Sequence, residues 1–344
     1  MKALVNTAPY KLEYCDWEIP AVRPDDLLIK VRACAICGSD IKGYSGKTGR
    51  RQPPIIMGHE AAGDVVQLGS AVQGFAVGDR VGFDSTVYCL HCSNCLRGHY
   101  NLCLNRQVVG VSEGTYRRHG AMAEYLTVPY WIAVHLPDSL SFAQASLIET
   151  VSIGVHAANR TPLVLNDTAV VVGAGAIGLV TLQAIKLKGA GKVVVTDLSI
   201  GRLELARKLG ADALVPADTP DLVGALRHEV GAAGADAVFE AVGIQATITT
   251  ALAIARVGGS VTLIGNVAPR VEFGLQTIVT GELNLYGVCA SNGEYGDCVQ
   301  LVASGRINVD PLISAYASLE DGQAVFDKLY QNAEDNIRTV FLFE

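Results

Sequence analysis

Four cysteines fall within the stretch "CLHCSNCLRGHYNLC", residues 89–103, at Cys89, Cys92, Cys95 and Cys103. Such density serves either disulfides or a metal. The chain holds nine cysteines, an odd number that suits no complete disulfide framework. Its N-terminus, MKALVNTAPYKLEYCDWEIP, has no apolar stretch resembling a signal peptide, so a cytoplasmic, reducing location is expected. Thiols so closely spaced are an oxidation hazard unless they are ligated. Four thiolates close a tetrahedron around zinc and leave no open position, so the expected site is structural and not catalytic.

A second group is suited to a dinucleotide. In "VVVGAGAIG", Gly173, Gly175 and Gly178 form G-x-G-x-x-G directly after the apolar run Ala169–Val172. The first glycine permits a tight turn, the second lets a pyrophosphate approach the backbone, and the third lets helix pack on strand. The pyrophosphate then faces the free N–H groups and positive end of the following helix, at Ala176 and Ile177. Asp197 ends the next strand-like run, where an acid accepts the ribose hydroxyls of NAD and repels the 2′-phosphate of NADP. Arg202 stands near enough to serve either cofactor. Val242 and Ile264, beyond the later strands, complete the expected cofactor contacts.

A third group suits a reactive metal. "CGSD" supplies Cys37, Ser39 and Asp40, and "GHE" supplies His59 and Glu60. Singly, Cys37 reads as a small buried hydrophobe and His59 as a core histidine. As a set in a chain with a dinucleotide motif, they read as an open zinc site with three protein ligands and a fourth position for water or substrate.

These groups need elements to hold them. The first 150 residues are short apolar runs such as "LLIKVRACAI", "EAAGDVVQLGSAV" and "GDRVGF", punctuated by Gly, Pro and Asp, which predict a β-rich or barrel-like unit. From about residue 150 strands and helices alternate: "TAVVV", a helix, "KVVVTD", helical "GRLELARKLGA", "DAVFEAVG", helical "TITTALAIARVGG", then "SVTLIGN". This pattern predicts an α/β fold with a doubly wound parallel sheet. After about residue 288 the alternation stops and the tail returns to the first domain. A chain of 344 residues is long for one core, so two domains are expected. The formal charge of −7 disfavours nucleic acid or an anionic membrane as the main partner. No window of eighteen consecutive apolar residues suggests a membrane span.

With these motifs in view, the sequence resembles the zinc-dependent medium-chain dehydrogenase/reductase family over nearly its whole length. "GHEAAGDVVQLGSAV" is similar to the family's zinc signature, with Gly58, His59, Glu60, Gly63, Gly69 and Val72 at the expected intervals. "GDRV", the four-cysteine lobe and "GAGAIG" follow in the family's order. The resemblance implies a GroES-like catalytic domain at 1–149, completed by 289–344 and carrying a structural zinc lobe at 88–104. A Rossmann NAD-binding domain would occupy 150–288. It also implies two zincs per chain, a homodimer or homotetramer, and hydride transfer from an alcohol to NAD.

No cysteine lies between Cys103 and Cys289, and the segment where the alcohol dehydrogenase branch has a further ligand reads "LIETVSIGVHA". This is similar to the sorbitol and galactitol-phosphate dehydrogenase branch, in which a glutamate stands there. The resemblance thus implies Cys37, His59 and Glu149 as zinc ligands, with Glu60 as an exchangeable ligand or close neighbour. It makes Asp40 the acid that orients His59, and Ser39 the hydroxyl that passes the substrate proton outward through the cofactor ribose. Lys42 stands where many relatives place the last histidine of that relay, so the relay ends in Lys42, in water or elsewhere. Zinc would lower the pKa of the alcohol so that hydride leaves to NAD.

The expected substrate is a sugar alcohol or its phosphate, oxidised to the ketose, with Arg50 and Arg51 either a phosphate clamp or a solvated basic turn. Simple diols, threonine-like substrates and hydroxy acids form the alternative. A zinc-independent quinone or enone reductase and a nonenzymatic NAD-binding regulator are further readings. The Cys37–His59–Glu149 set counts against the reductase, and the intact ligands together with the intact glycine loop count against the regulator.

Overall fold

The run DLLIKVRACA is buried except at Lys30 and Arg32, which are half-buried, and Asp26–Ala35 is the longest strand of its sheet, with Leu27, Ile29 and Ala33 fully buried. A strand covered on both faces has no need of alternation. In the computed structural model, which describes residues 1–114, 116–331 and 336–344, this strand sits mid-sheet. It pairs antiparallel with Glu60–Leu68, with Tyr125–Pro129 and with Arg338–Leu342. Arg80–Phe83 and Ala133–His135 extend the sheet on one side, and Ile313–Ala317 extends it on the other. Val65, Val81, Phe83, Leu126, Val128 and Phe341 join Leu27 and Ile29 in one core. Burying each such side chain contributes on the order of 1.5–3 kcal/mol.

These strands belong to the first of two compact units, made of Met1–Glu149, Ser291–Gly305 and Val309–Glu344. The second comprises Thr150–Ala290 and Arg306–Asn308. Its sheet has six parallel strands in the spatial order Ala213–Pro216, Lys192–Asp197, Thr168–Val172, Ala235–Glu240, Ala255–Leu263 and Asn284–Gly287. The order reverses between Thr168–Val172 and Ala235–Glu240, and the loops beyond their carboxyl ends form a ligand crevice in sheets of this kind. The second core unites Val170, Val194 and Val238 with Leu226, Ile248 and Leu252 from two helices. Boundaries differ from the sequence reading at two places: residues 289–290 and 306–308 fall in the second unit and not with the returning tail, and one helix ends early. The helix Gln245–Ile254 stops before "ARVGG", and Ala255–Leu263 is strand throughout, because Ala255 already pairs with Ala235. Among the described residues, no helix is long and apolar enough to cross a membrane.

The glycine turn after Val172 has the geometry that its spacing predicts. Gly173 has φ +101°, and a Cβ there would meet Val242 Cγ2 at 2.5 Å. A Cβ on Gly178, inside the helix Ala176–Lys188, would collide with the Gly173 carbonyl oxygen. At Gly175 a Cβ would meet nothing within 4 Å. The turn is therefore tight on its protein side and open on the side that a pyrophosphate would approach.

This contrast gives two opposite outcomes from one chemical change. Gly178→Ala should destabilise the fold by about 1–3 kcal/mol through overpacking, and NADH binding should fall with it. Gly175→Ala should leave the thermal midpoint unchanged and weaken NADH binding alone. Calorimetric melts paired with NADH fluorescence titrations check this, and an equal loss of stability in both variants would refute it.

Candidate metal centre and dinucleotide turn

Register explains how residues far apart in sequence meet. Ala35 pairs with Glu60 on one side and with Val340 on the other. Cys37 lies just past the end of its strand, His59 just before the start of the next, and Arg338 at the start of the third. The donor atoms of Cys37, His59 and Glu60 lie within 4.8 Å of one another. Cys37 also caps the short helix Gly38–Tyr44: its Sγ accepts the Ser39 N–H at 3.5 Å, and its own N–H donates to Asp40 Oδ2 at 3.2 Å. A thiol, an imidazole and a carboxylate converging in this way match an open zinc site.

Two ion pairs border the centre. Asp40, fully buried, faces His59 Nδ1 at 3.5 Å and accepts from Arg51 Nη2 at 2.8 Å. Burial alone would raise its pKa, but His59 and Arg51 hold it well below the usual carboxylate range. For His59, burial favours the neutral ring, yet Asp40 and Cys37 outweigh it and raise the pKa of the metal-free imidazole. Glu60 is clamped by Arg338 through two parallel bonds, Nε to Oε2 at 2.9 Å and Nη2 to Oε1 at 3.0 Å. Burial works against the Arg338 charge, and Glu60 and Cys37 sustain it.

Glu149 stands in the first turn of the helix Ile148–Arg160 and is not one of the Cys37–His59–Glu60 trio. It is buried, and its Oε1 accepts from Ser85 Oγ at 2.7 Å. Burial, with Glu60 and Asp84 adding to it, pushes its carboxyl up to about 7, against the pull of His59 and the Ser85 bond. The carboxyl thus senses both His59 and Glu60. Ser39 is exposed, and its Oγ accepts from Arg51 Nη2 at 3.1 Å. Lys42 is exposed in the last turn of the short helix, where partial desolvation lowers its pKa and Cys37 opposes that shift. Arg51 is only 5% exposed, so it is unavailable as the phosphate clamp considered from the sequence, whereas Arg50 remains exposed. Ser85 and Arg338 were not foreseen. An arginine opening the apolar strand RTVFL was the one local sign of the latter.

In the cysteine lobe the Sγ separations are 3.5 Å for Cys92–Cys95, 3.9 Å for Cys92–Cys103 and 4.0 Å for Cys89–Cys95. A tetrahedral zinc with Zn–S bonds of about 2.3 Å holds its sulfurs about 3.8 Å apart. Amide N–H groups also aim at the sulfurs. Cys89 and Asn105 donate to Cys103 Sγ, each at 3.3 Å, and Leu104 donates to Cys92 Sγ at 3.4 Å. Such bonds stabilise thiolates. The four residues fit a closed metal site.

In the second unit, Asp197 does more than end its strand. Its Oδ2 accepts the Ala174 N–H at 2.7 Å and its Oδ1 accepts the Ser199 N–H at 2.9 Å, which ties the glycine turn to the loop after the next strand. Arg202 lies in the first turn of the helix Ile200–Lys208, capped by Ser199. Ala176 and Ile177 open the helix after Gly175. Val242 packs against Gly173 and donates its N–H to Glu240 Oε1 at 3.0 Å, and the Ile264 N–H donates to the Glu240 carbonyl at 2.8 Å. With the open face of Gly175, these residues fit a dinucleotide.

Comparison with known proteins agrees with this geometry. The family profile described as "Alcohol dehydrogenase GroES-like domain" matches residues 23–138, and "Zinc-binding dehydrogenase" matches 176–304. The chain is 35% identical to sorbitol dehydrogenase of Bacillus subtilis (strain 168), covering 96% of this chain and 94% of that one. It is 33% identical to D-arabitol-phosphate dehydrogenase of Enterococcus avium, covering 97% and 96%. A candidate zinc-binding dehydrogenase from Sinorhizobium meliloti 1021, solved bound to NADP, superposes with a TM-score of 0.91 at 31% identity, with 99% of each chain covered.

Two measurements probe the metal residues directly. The lobe predicts that Cys95→Ser removes one bound zinc and lowers thermal stability, as loss of a structural metal does; a full metal content in that variant would refute the tetrathiolate. Glu149 makes a pH prediction for the metal-free protein. Its carboxyl stands at about 7 in the folded chain against an ordinary 4.5, so the folded chain holds a proton that the unfolded chain has released. The associated stability is fully present below about pH 4.5 and is lost as pH rises towards about 7. Glu149→Gln should flatten that fall, leaving the variant more stable than the parent above neutrality. Urea denaturation of chelator-treated protein across pH tests it, and identical slopes for the two proteins would show that burial of this carboxyl has no such effect.

Proposed function

The chain belongs to the zinc-binding alcohol dehydrogenase family, and from that membership we propose an NAD-dependent dehydrogenase that oxidises a secondary alcohol of a polyol, or of its phosphate, to the ketose. The observation that carries this reading is the convergence of Cys37, His59 and Glu60 within 4.8 Å, bordered by the buried Glu149. Its relatives among sorbitol and arabitol-phosphate dehydrogenases support the substrate class. We further infer a cytoplasmic homo-oligomer, a dimer or tetramer, that acts on a small molecule and on neither nucleic acid nor membrane.

Cys37, His59 and Glu149 would hold the catalytic zinc, with Glu60 exchanging into the set when Arg338 releases it. Charge supports this division. Arg338 already balances Glu60, so a ligating Cys37 thiolate and the Glu149 carboxylate supply the two negative charges that a divalent ion needs. Cys89, Cys92, Cys95 and Cys103 would hold a second zinc. Zinc bound at the first centre supplies Lewis acidity, lowering the pKa of the substrate hydroxyl. Ser39 offers an exposed hydroxyl to receive the proton, and Lys42 or water would take it onward. In the second unit, Asp197 would accept the ribose hydroxyls of the cofactor. Each oxygen of its carboxylate accepts one backbone N–H and keeps a lone pair for this purpose.

The decisive experiment is an NADH-formation screen of the zinc-loaded protein over polyols, polyol phosphates, diols and hydroxy acids. Polyols or their phosphates should give the highest kcat/KM, and a chain that oxidises diols or hydroxy acids but no polyol would sink the reading. Cofactor choice is tested in the same assay. Charged hydrogen bonds contribute about 1.5–3 kcal/mol each, so NAD should be preferred at least about tenfold, and Asp197→Ser should erode that preference. Equal kcat/KM for NAD and NADP in the parent protein would overturn the cofactor assignment.

A further inference from the structure

One buried cation near the metal centre is neither a ligand nor, by its position, a substrate contact. The Arg51 side chain is 4% exposed, and a single nitrogen, Nη2, donates two hydrogen bonds. One goes to Asp40 Oδ1 at 2.8 Å, the oxygen that faces His59 Nδ1 at 3.5 Å. The other goes to Ser39 Oγ at 3.1 Å. Among the described residues Arg51 Nε has no hydrogen-bond partner, and the two Nη2 bonds hold the guanidinium. The stem lies across Gly43, where a Cβ would come 2.7 Å from Arg51 Cγ and 3.1 Å from Cδ. The short helix that carries Ser39 and Asp40 thus has a gap one turn later through which Arg51 reaches back to both.

We propose that Arg51 is a positioning residue of this centre: one nitrogen fixes the carboxylate behind His59 and, at the same time, orients the hydroxyl of Ser39. Among the described residues, the Asp40 carboxylate is otherwise held by the Cys37 N–H and by its contact with His59. Without Arg51 the carboxylate keeps a hydrogen bond at Oδ2 only, from Cys37 N–H, and Oδ1, the oxygen that faces His59 Nδ1 and orients its ring, is held less firmly. Ser39 gains in a different way. A hydroxyl has one hydrogen and two lone pairs. With Arg51 donating to one lone pair, Ser39 keeps its other lone pair to accept a proton and its own hydrogen to pass one on, and that hydrogen points away from the buried guanidinium. The role of Arg51 at Ser39 rests on the dehydrogenase reading; its role at Asp40 and His59 rests only on the metal site.

The test uses the zinc-loaded protein and two routes to the same perturbation. Arg51→Gln removes the charge, and Gly43→Ala displaces the arginine stem while placing a better helix former in the helix. Loss of an outer partner of a metal ligand typically costs about 10–100-fold in affinity or activity, so both variants should release one of the two zincs to a chelator at least about tenfold faster. The other zinc should be lost at the parent rate. With a polyol that the parent oxidises, kcat should fall by a similar factor while NADH affinity is unchanged, and the solvent deuterium isotope effect on kcat should rise. Arg51→Lys, which keeps the charge but lacks the planar fork, should recover part of both losses. Parent-like zinc release and kcat in Arg51→Gln overturn the proposal. If that variant does not fold, parent-like values in Gly43→Ala overturn it instead. A parent protein that oxidises none of the screened alcohols ends the dehydrogenase reading, while the zinc-release comparison still decides the role of Arg51 at His59.

Discussion

The pair formed by Glu60 and Arg338 is the contact on which the first unit's chemistry depends. The two residues lie 278 positions apart, and they meet through paired hydrogen bonds at the junction of three strands. Both side chains are almost wholly removed from water, at 1% and 7% exposure. Removing one partner of such a pair leaves an uncompensated buried charge, which typically costs about 3–5 kcal/mol. A bidentate geometry also restricts orientation. The pair therefore fixes the starts of two strands relative to each other, and with them the approach of His59 to Cys37. A hydrophobic substitute of similar volume would leave no carboxylate beside Cys37 and His59.

What was legible in the sequence follows the range of the interactions. The cysteine lobe and the glycine turn are local. Their residues lie within fifteen positions of one another, and the chemistry of the side chains, or the absence of one, dictates the geometry. Gly178 against the Gly173 carbonyl is a contact between residues five apart. The trio of Cys37, His59 and Glu60 was readable because two short motifs flank paired strands. Arg338 and Ser85 were not readable, since their placement depends on strand order and register, which no window of sequence contains. Arg51 beside Arg50 looked like one basic turn. Only the gap at Gly43 separates a buried arginine from an exposed one. The misread end of the helix after Ile254 has the same origin: helix-compatible residues at 255–257 are drawn into the sheet by pairing with the strand beside them.

In the second unit two acids use one device. Asp197 and Glu240 each end a parallel strand, and each turns its carboxylate onto the backbone N–H groups of a loop. Asp197 takes those of Ala174 and Ser199, and Glu240 takes those of Val242 and Gly243. The loops at the carboxyl ends of the sheet are thereby tied by carboxylate-to-backbone bonds, with Val242 packed against Gly173 as a side-chain contact between them. This leaves their outer surfaces free of bulky groups, as the empty space beside Gly175 shows. A ligand that needs backbone N–H groups and close approach gains from such a surface, whereas a loop packed by large side chains would exclude it.

Charge balance in the first unit's centre leads to a similar conclusion about what it is built to hold. Asp40 is matched by Arg51 and Glu60 by Arg338, so those four groups sum to zero. Cys37 as a ligand and Glu149 remain, both beside a histidine. With no cation present, a buried carboxylate at this location is better off protonated, and the raised pKa of Glu149 expresses that cost. A divalent ion removes the reason for the proton, so uptake of metal and loss of protons are one process. A monovalent ion would leave one negative charge, and the two buried arginines among the described residues, Arg51 and Arg338, are already committed. With Asp40 and Glu60 each matched by an arginine, a thiolate and a carboxylate left for the ion would suit charge two, and a set of thiolate, imidazole and carboxylate would suit, among divalent ions, one that accepts sulfur, nitrogen and oxygen together.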